Sequence, residues 1–470
     1  MKIIINNETE LELFITNKNI EKQLITNLTI RNCKTLTLYY LTEIIDKLLA
    51  LTIFKIEYCD ELTHLPDSIG NLSNLTQLYI RYCNNLTQYS LTDSIVNLHA
   101  LTILDIMYCT ILTHVPDSVC NLQALTTFNI VNCNKITHLP ESFCQLRELT
   151  EIKIEFCENL THLPDSIGNL RALIICNIWS CNKLTQLPDS FCQLQSLTTF
   201  TIYDCNNITL FSLTESFKNL LALTKIEILF CSGLTHLPES FGHLPALTTF
   251  NIIFCENITH LPDSIGNLKT LTTLMIGHCD KLTYLPDSIC NLQALTNLTL
   301  DNCNNLTHLP DSIGQLQALI TFTIEYCEKI THLPDSIGKL IALIIFKIHK
   351  CNNLTHLPDS ICHMRELTTL IISYCDKLIH LPDRIGNMDA LTILNIYYYD
   401  NLTYTLLPNS ICFCKNLQSI SVQNIYMLPP SMILLENIND ITVINNDTEV
   451  IQNINEMQTL WYQQITKPRI

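Results

Sequence analysis

The stretch Leu295 to Ala318, LTNLTLDNCNNLTHLPDSIGQLQA, decides the fold, because near copies of it lie on both sides. LTTLMIGHCDKLTYLPDSICNLQA precedes it over Leu271 to Ala294, and LITFTIEYCEKITHLPDSIGKLIA follows it over Leu319 to Ala342. Each copy is 24 residues long. Self-similarity at a fixed period of roughly 20 to 50 residues is typical of a stacked-repeat protein. The sequence therefore predicts a solenoid.

A recurring cysteine marks the repeats along the chain. Most steps between these cysteines are 24 residues, and a few are 26. Because the cysteines occupy one repeat position, they do not indicate a disulfide framework. Tyr399, Ile425 and Asn446 continue the series, which gives about 18 coils. The cysteines of the column are Cys33, Cys59, Cys83, Cys109, Cys133, Cys157, Cys181, Cys205, Cys231, Cys255, Cys279, Cys303, Cys327, Cys351 and Cys375.

The decay of the repeat at both ends predicts capping segments. The predicted parts are an N-terminal cap, the repeats and a C-terminal capping helix, over residues 1–24, 25–446 and 447–470. In the first cap, the alternation of Leu11, Leu13 and Ile15 is typical of a strand. At the other end, Asp447 suits the N-cap of a helix that has one apolar face.

The pattern within one unit predicts a strand, a turn and a short helical segment. Leu298 and Leu300 are two residues apart, which is the spacing of a strand. Pro310 and Asp311 suit the first turn of a helix, since proline fits the first helical position and an acid complements the dipole. One unit cannot fold by itself, so stacked units must share a parallel sheet and a core. The residues predicted to face the core are Leu295, Leu298, Leu300, Cys303, Leu306, Leu309, Ile313 and Leu316.

The unit LxxLxIxxCxxLTHLPDSIGNLxA resembles a leucine-rich repeat, with Cys303 at the place where that family has Asn or Cys. Its LP-x-SIG-x-L half is most similar to the repeats of plant disease-resistance proteins. The resemblance implies an α/β repeat solenoid, a curved array with a parallel β-sheet on the concave face and short helical segments on the convex face. In that family the concave sheet usually binds a protein partner. The abundance of Ile and Asn is typical of an AT-rich genome, such as that of a protist or a large DNA virus.

Charge and hydropathy indicate which classes of partner and which cellular compartment the sequence favours. The net charge of −17 argues against nucleic acid and anionic membranes, since both require a basic face. The N-terminal stretch MKIIINNETELELF lacks the apolar core of a signal peptide. The longest apolar runs, such as Leu340 to Phe346, are far shorter than the ~20 residues of a membrane span. We therefore expect a cytoplasmic, monomeric protein with a protein partner.

Two repeat columns contain side chains that can bind metals. The cysteine column is interpreted as small core residues that bond the turn backbone. The histidine column is interpreted as a solvated flank, with two alternatives: binding of zinc or nickel, and a cationic stripe at low pH. No carboxylate lies at metal-ligand spacing beside it, so we expect no metal and no cofactor. The histidines are His64, His114, His138, His162, His236, His260, His308, His332, His356 and His380.

Aromatic residues on the strand face are the best candidates for a binding site. They occupy the position just before the column cysteine or the strand beside it. Aromatic residues are enriched at binding hot spots, and exposed stripes of them indicate a partner. The alternative is that the rings only stack on one another along the array. The predicted binding residues are Tyr58, Tyr82, Tyr108, Phe156, Trp179, Tyr203, Phe230, Phe254, Tyr326, Tyr374, Tyr397 and Tyr398.

These features predict a non-enzymatic scaffold or recognition module that binds another protein through its concave face. Phosphate-cradling and nucleophile motifs are missing from the sequence, which argues against an enzyme. One alternative is a substrate receptor of a ubiquitin-ligase complex, recruited through the predicted C-terminal helix. The other is a structural spacer, in which the aromatic column has no role in binding.

Overall fold

The structure, a computed structural model, describes residues 1–451 apart from 35, 88–90, 210–216, 379, 398–406, 423–427, 436 and 445–447. The chain divides into two compact units. The first contains Met1–Leu234 and Leu244–Ala246, and the second contains Thr235–His243 and Leu247–Ile470. Both units repeat one coil, in which a strand is followed by a turn, a short helix and a return to the next strand.

The strands of the first unit pair in parallel and in chain order. The N-terminal strand joins the same sheet, since Lys2 pairs with Asn27 and Ile5 with Ile30. The strands are β1 Lys2–Ile5, β2 Asn27–Arg31, β3 Ile53–Glu57, β4 Gln77–Arg81, β5 Ile103–Met107, β6 Thr127–Val131, β7 Glu151–Glu155, β8 Ile175–Trp179, β9 Thr199–Tyr203 and β10 Lys225–Leu229.

The strands of the second unit are also parallel and in chain order, except for the last one. That strand pairs with its predecessor antiparallel. The strands are β11 Thr249–Ile253, β12 Thr273–Gly277, β13 Asn297–Asp301, β14 Thr321–Glu325, β15 Ile345–His349, β16 Thr369–Ser373, β17 Ile393–Tyr397, β18 Ser419–Val422, β19 Asp440–Ile444 and β20 Thr448–Ile451.

The helical segments of the coils are 3-10 helices of three to five residues. Many of them follow a proline whose backbone is extended, such as Pro286. The carbonyl of Pro286 accepts a hydrogen bond from the Ile289 amide at 3.0 Å, which closes the first turn. Two α-helices lie near the N-terminus, α1 Glu8–Thr16 and α2 Leu38–Ile45. The 3-10 helices are Lys22–Leu24, Asp67–Asn71, Asp93–Asn97, Asp117–Asn121, Glu141–Gln145, Ile167–Asn169, Asp189–Gln193, Phe217–Asn219, Glu239–His243, Asp263–Asn267, Asp287–Asn291, Ile313–Gln315, Asp335–Lys339, Asp359–His363, Ile385–Asn387, Asn409–Phe413 and Pro430–Leu434.

The core follows the repeat pattern. All eight residues predicted to face inward in Leu295 to Ala318 are at most 1 % exposed. Leu298 pairs in register with Phe322, and Leu300 with Ile324, so the apolar side chains of adjoining coils lie directly over one another. The predicted repeat unit and its parallel sheet are therefore confirmed.

Glycine in the 3-10 helix allows neighbouring coils to approach closely. A Cβ added at Gly314 would lie 1.9 Å from the backbone oxygen of Ser336 in the next coil. Cys290 occupies the same position one coil earlier. None of the nine glycines has a positive φ, so close packing, and not backbone conformation, explains the glycine.

The N-terminal segment differs from the predicted strand over Leu11, Leu13 and Ile15, because these residues lie in the helix α1. The Asn7 side chain caps the helix by accepting a hydrogen bond from the Glu10 amide at 3.0 Å. Leu11 and Phe14 are both buried, whereas Leu13 is exposed. The buried residues are three apart, which is the spacing of one helical face. This spacing, and not the alternation of Leu11, Leu13 and Ile15, matches the observed structure.

The C-terminal segment also departs from the prediction at its start. Thr448–Ile451 forms the strand β20, where a capping helix from Asp447 was predicted. An antiparallel ladder with β19 satisfies backbone groups that a last parallel strand leaves open. Asp447 and residues 452–470 lie outside the described residues, so the rest of the predicted helix stays a prediction.

Candidate functional site

The residue before each column cysteine has a left-handed backbone conformation. Its φ lies between 49° and 56° in every coil from Asn32 to Tyr374. Residues other than glycine sustain a cost of about 1–3 kcal/mol in this conformation. None of these positions contains glycine, and aromatic residues are the commonest occupants. This feature was not predicted from the sequence.

Backbone hydrogen bonds explain the conformation. The Tyr82 amide donates to the Met107 carbonyl at 2.9 Å, and the Phe156 amide donates to the Trp179 carbonyl at 2.8 Å. This bond extends the sheet by one residue, and the chain then turns so that the column cysteine enters the core. The side chain before the cysteine is left at the edge of the strand face, the surface formed by outward strand residues.

Three tyrosines at this edge stack on one another in the first unit. The ring centroids of Tyr58 and Tyr82 are 4.3 Å apart with planes 6° from parallel, and those of Tyr82 and Tyr108 are also 4.3 Å apart. Stacking of this kind contributes about 0.5–1.5 kcal/mol per pair. The alternative prediction, that rings stack along the array, therefore applies to these three residues. Tyr58 nevertheless remains 47 % exposed.

Phe156 differs from the tyrosines. Its neighbours in the column are Asn132 and Ser180, and it is 43 % exposed. It has no ring contact with the described residues. Nearby, Trp179 and Tyr203 end adjacent strands, with ring centroids 5.7 Å apart and planes tilted by 47°. Stacking cannot account for the exposed ring of Phe156.

In the second unit two histidines contact aromatic residues of the predicted site. The rings of Phe254 and His278 stack with centroids 3.9 Å apart. His349 makes edge contacts with Tyr326 at 5.0 Å and with Tyr374 at 5.3 Å. Sequence reasoning missed both histidines, although His278 occupies the same repeat position as the predicted aromatic residues.

The remaining predicted residues are distributed as follows. Tyr203 and Phe230 have ring centroids 5.1 Å apart. Tyr397 is the last residue of β17, beside Ser373 of β16. Tyr398 lies outside the described residues. The structure therefore brings together Tyr58, Tyr82 and Tyr108 as one group and Trp179, Tyr203 and Phe230 as another.

Carboxylates on the strand face of the first unit pair with lysine or arginine, with one exception. The pairs Arg31–Glu57, Arg81–Asp105, Lys153–Glu151 and Lys225–Glu227 are 2.9 to 3.5 Å apart. The exception is Glu155, the last residue of β7. Among the described residues its carboxylate has neither a cation at ion-pair distance nor a hydrogen-bond donor. Burial raises the pKa of Glu155, while the charge of Lys153 opposes that effect.

The cysteine column packs as predicted. The Cys303 thiol is fully buried and contacts the backbone oxygens of Asp301 at 3.6 Å and Ile276 at 3.7 Å. Burial raises the pKa of Cys83 to about 11, which keeps the thiol protonated at neutral pH. These residues are therefore weakly polar members of the core.

Some histidines of the second column stack in pairs. The rings of His138 and His162 are parallel, with centroids 5.8 Å apart, and those of His236 and His260 are 6.0 Å apart. The ring planes in each pair are 2° from parallel. Burial lowers the pKa of His236, and the neighbouring His260 lowers it further.

Comparison with known proteins identifies the fold. No protein-family model and no curated protein matches the sequence. A solved leucine-rich-repeat protein of Leptospira interrogans is similar with a TM-score of 0.60 at 24% identity, over 90% of this chain and 94% of that one. The functional domain of InlJ from Listeria monocytogenes, which includes a cysteine ladder, has a TM-score of 0.50 at 20% identity, over 80% and 70%. The protein has the leucine-rich-repeat fold.

In this leucine-rich-repeat fold, the coil places two kinds of side chain at fixed points of the strand face. Outward strand residues are one kind, and the left-handed residues before the cysteines are the other. Within the described part of the chain, no helix has the length and apolar character that crossing a bilayer requires. The same residues contain no group of three side chains placed to hold a metal ion.

Proposed function

We propose that this leucine-rich-repeat protein is a non-enzymatic interaction module that binds a protein partner through the aromatic residues of its strand face. The observation that supports the proposal is the exposed Phe156 ring, 43 % accessible in a strained left-handed conformation. The proposed contact residues are those predicted from the sequence, Tyr58, Tyr82, Tyr108, Phe156, Trp179, Tyr203, Phe230, Phe254, Tyr326, Tyr374, Tyr397 and Tyr398.

The fold itself does not require an aromatic ring at this position. Asn32, Asn132 and Asn302 adopt the same conformation, and asparagine tolerates it better than most residues. Stacking offsets part of the cost at Tyr82, which has a ring on each side. Phe156 has no such compensation. A large rigid side chain held partly in solvent at a cost in stability suits a binding hot spot.

The proposal is tested by affinity capture with matched variants. Tyr82/Tyr108/Phe156→Ala removes three rings from the strand face. Leu49/Gln195/Leu221→Ala removes three exposed side chains outside the strands of the same unit. We expect the first variant to lose the proteins that the wild type captures, and the second to retain them. Equal capture by both variants, with circular dichroism showing both folded, would contradict the proposal and favour a structural spacer.

A further inference from the structure

We propose that Glu155, Phe156, Trp179 and Tyr203 form a docking site for a lysine or arginine side chain of the partner. This inference rests on the proposed function and names the chemistry of the partner, a basic protein segment. The site lies entirely in the first unit, on three adjacent strands and the turn that follows β7.

Sheet register brings the four side chains together. Glu155 ends β7, Trp179 ends β8 and Tyr203 ends β9, and the register pairs each with the next. Neighbouring strands lie roughly 4.7–4.9 Å apart, so these outward side chains form one continuous row. Phe156 follows Glu155 directly and borders the row at its exposed edge.

The Glu155 carboxylate is the anion of the site. Four other carboxylates on this face already bond a lysine or arginine. Lys153, two residues earlier on β7, is bound to Glu151 at 2.9 Å. Glu155 therefore has no direct ion pair. Burial raises its pKa, and the charge of Lys153 opposes this only in part. An arriving cation would compensate the charge of Glu155 where water is partly excluded.

The aromatic rings supply the second half of the recognition. Trp179 and Tyr203 are tilted by 47° with centroids 5.7 Å apart. The face of an aromatic ring, above all that of tryptophan, attracts a lysine or arginine cation. The strand face already uses this contact internally, since Lys55 Nζ lies 4.5 Å from the centroid of the Tyr79 ring. Beside Trp179 the rings and the carboxylate are present without the cation.

An unpaired donor also lies in the site. The Trp179 indole Nε1 is buried and has no hydrogen-bond partner among the described residues. A buried donor left without a partner costs about 1–3 kcal/mol. A bound peptide brings carbonyl oxygens, which are the acceptors that this donor lacks. Lysine or arginine within a peptide satisfies both requirements, whereas a free inorganic cation satisfies only one.

The experiment uses Trp179 as the reporter. The protein contains two tryptophans, so Trp461→Phe leaves Trp179 as the only one. The probe is an acetylated, amidated Gly-Ser peptide that contains three arginines, and the control peptide has glutamine at those places. We expect a saturable change in Trp179 fluorescence with the arginine peptide and none with the glutamine peptide.

A pair of charge-matched variants locates the binding. We expect Glu155→Gln to weaken binding of the arginine peptide at least tenfold, and Glu148→Gln, which changes an exposed carboxylate outside the strands, to leave it unchanged. Equal effects of the two variants would mean that the peptide is attracted by the net negative charge of the protein and not by Glu155. That outcome would overturn the inference. No fluorescence change with the arginine peptide would overturn it as well.

The two proposals fail in different ways. If the arginine peptide does not bind but Tyr82/Tyr108/Phe156→Ala still loses the captured proteins, only the docking site is wrong. If capture is unchanged in that variant, the strand face is not the interaction surface. Circular dichroism of every variant distinguishes loss of binding from loss of structure.

Discussion

At the scale of single residues, the left-handed conformation before each column cysteine is the feature that links stability to the proposed function. Asn32, Asn132 and Asn302 are a signal of it in the sequence, since asparagine is enriched in this conformation. Aromatic residues outnumber them and sustain a cost of about 1–3 kcal/mol each. Neighbouring rings offset part of that cost at Tyr82 but not at Phe156. Tyr82 is therefore explained by packing, whereas Phe156 is explained only by the proposed binding.

Replacement of each ring by asparagine tests this difference. Phe156→Asn removes an exposed side chain and relieves backbone strain, so the free energy of unfolding should be unchanged or higher by up to about 1 kcal/mol. Tyr82→Asn removes two ring contacts and should lower it by about 1–2 kcal/mol. Urea unfolding followed by circular dichroism measures both. A greater loss of stability for Phe156→Asn would mean that its ring is part of the packing.

At the scale of one structural element, the distance between consecutive 3-10 helices determines whether the position of Gly314 can hold a side chain. Gly314 lies under the backbone of Ser336, which leaves no room for a Cβ. Cys290, one coil earlier, is almost fully buried and has its Cβ accommodated. Adjacent coils therefore approach to different extents although their sequences are close copies. The period of the sequence predicts a helix in each coil, but it does not predict how closely each pair of coils approaches.

Two alanine substitutions at this position test the close approach. Gly314→Ala places a Cβ 1.9 Å from a backbone oxygen unless the next coil shifts. Overpacking of this kind typically costs about 1–3 kcal/mol. Cys290→Ala removes one buried sulfur and should cost about 1 kcal/mol or less. The urea midpoints of the two variants compare these costs, and a smaller loss for Gly314→Ala would contradict the packing explanation.

At the scale of the whole molecule, repetition explains why most of the fold was predictable. Each core position recurs in coil after coil, so the period remains visible despite substitutions. The first cap occurs once, and its residues Leu11, Leu13 and Phe14 fit both a strand and a helix. The candidate site was predictable only as a column of aromatic residues. Glu155 and His349 were not predicted, because their importance depends on contacts between coils and not on the period.

The central claim is that the strand face, and not the side of the 3-10 helices, contacts the partner. Exposed aromatic residues and a carboxylate without an ion pair lie on that face in the first unit. The side of the 3-10 helices in the same unit presents exposed polar residues such as Gln193 and Gln195. A method that reports contact at a chosen residue distinguishes the two faces directly.

Site-specific photo-crosslinking is the measurement that tests this claim most directly. A benzophenone amino acid is placed at Phe156 on the strand face or at Gln195 after a 3-10 helix, and each variant is irradiated in the presence of the captured partner. We predict a covalent complex from position 156 and none from position 195. Crosslinking from position 195 alone, or equally from both, would contradict binding through the strand face.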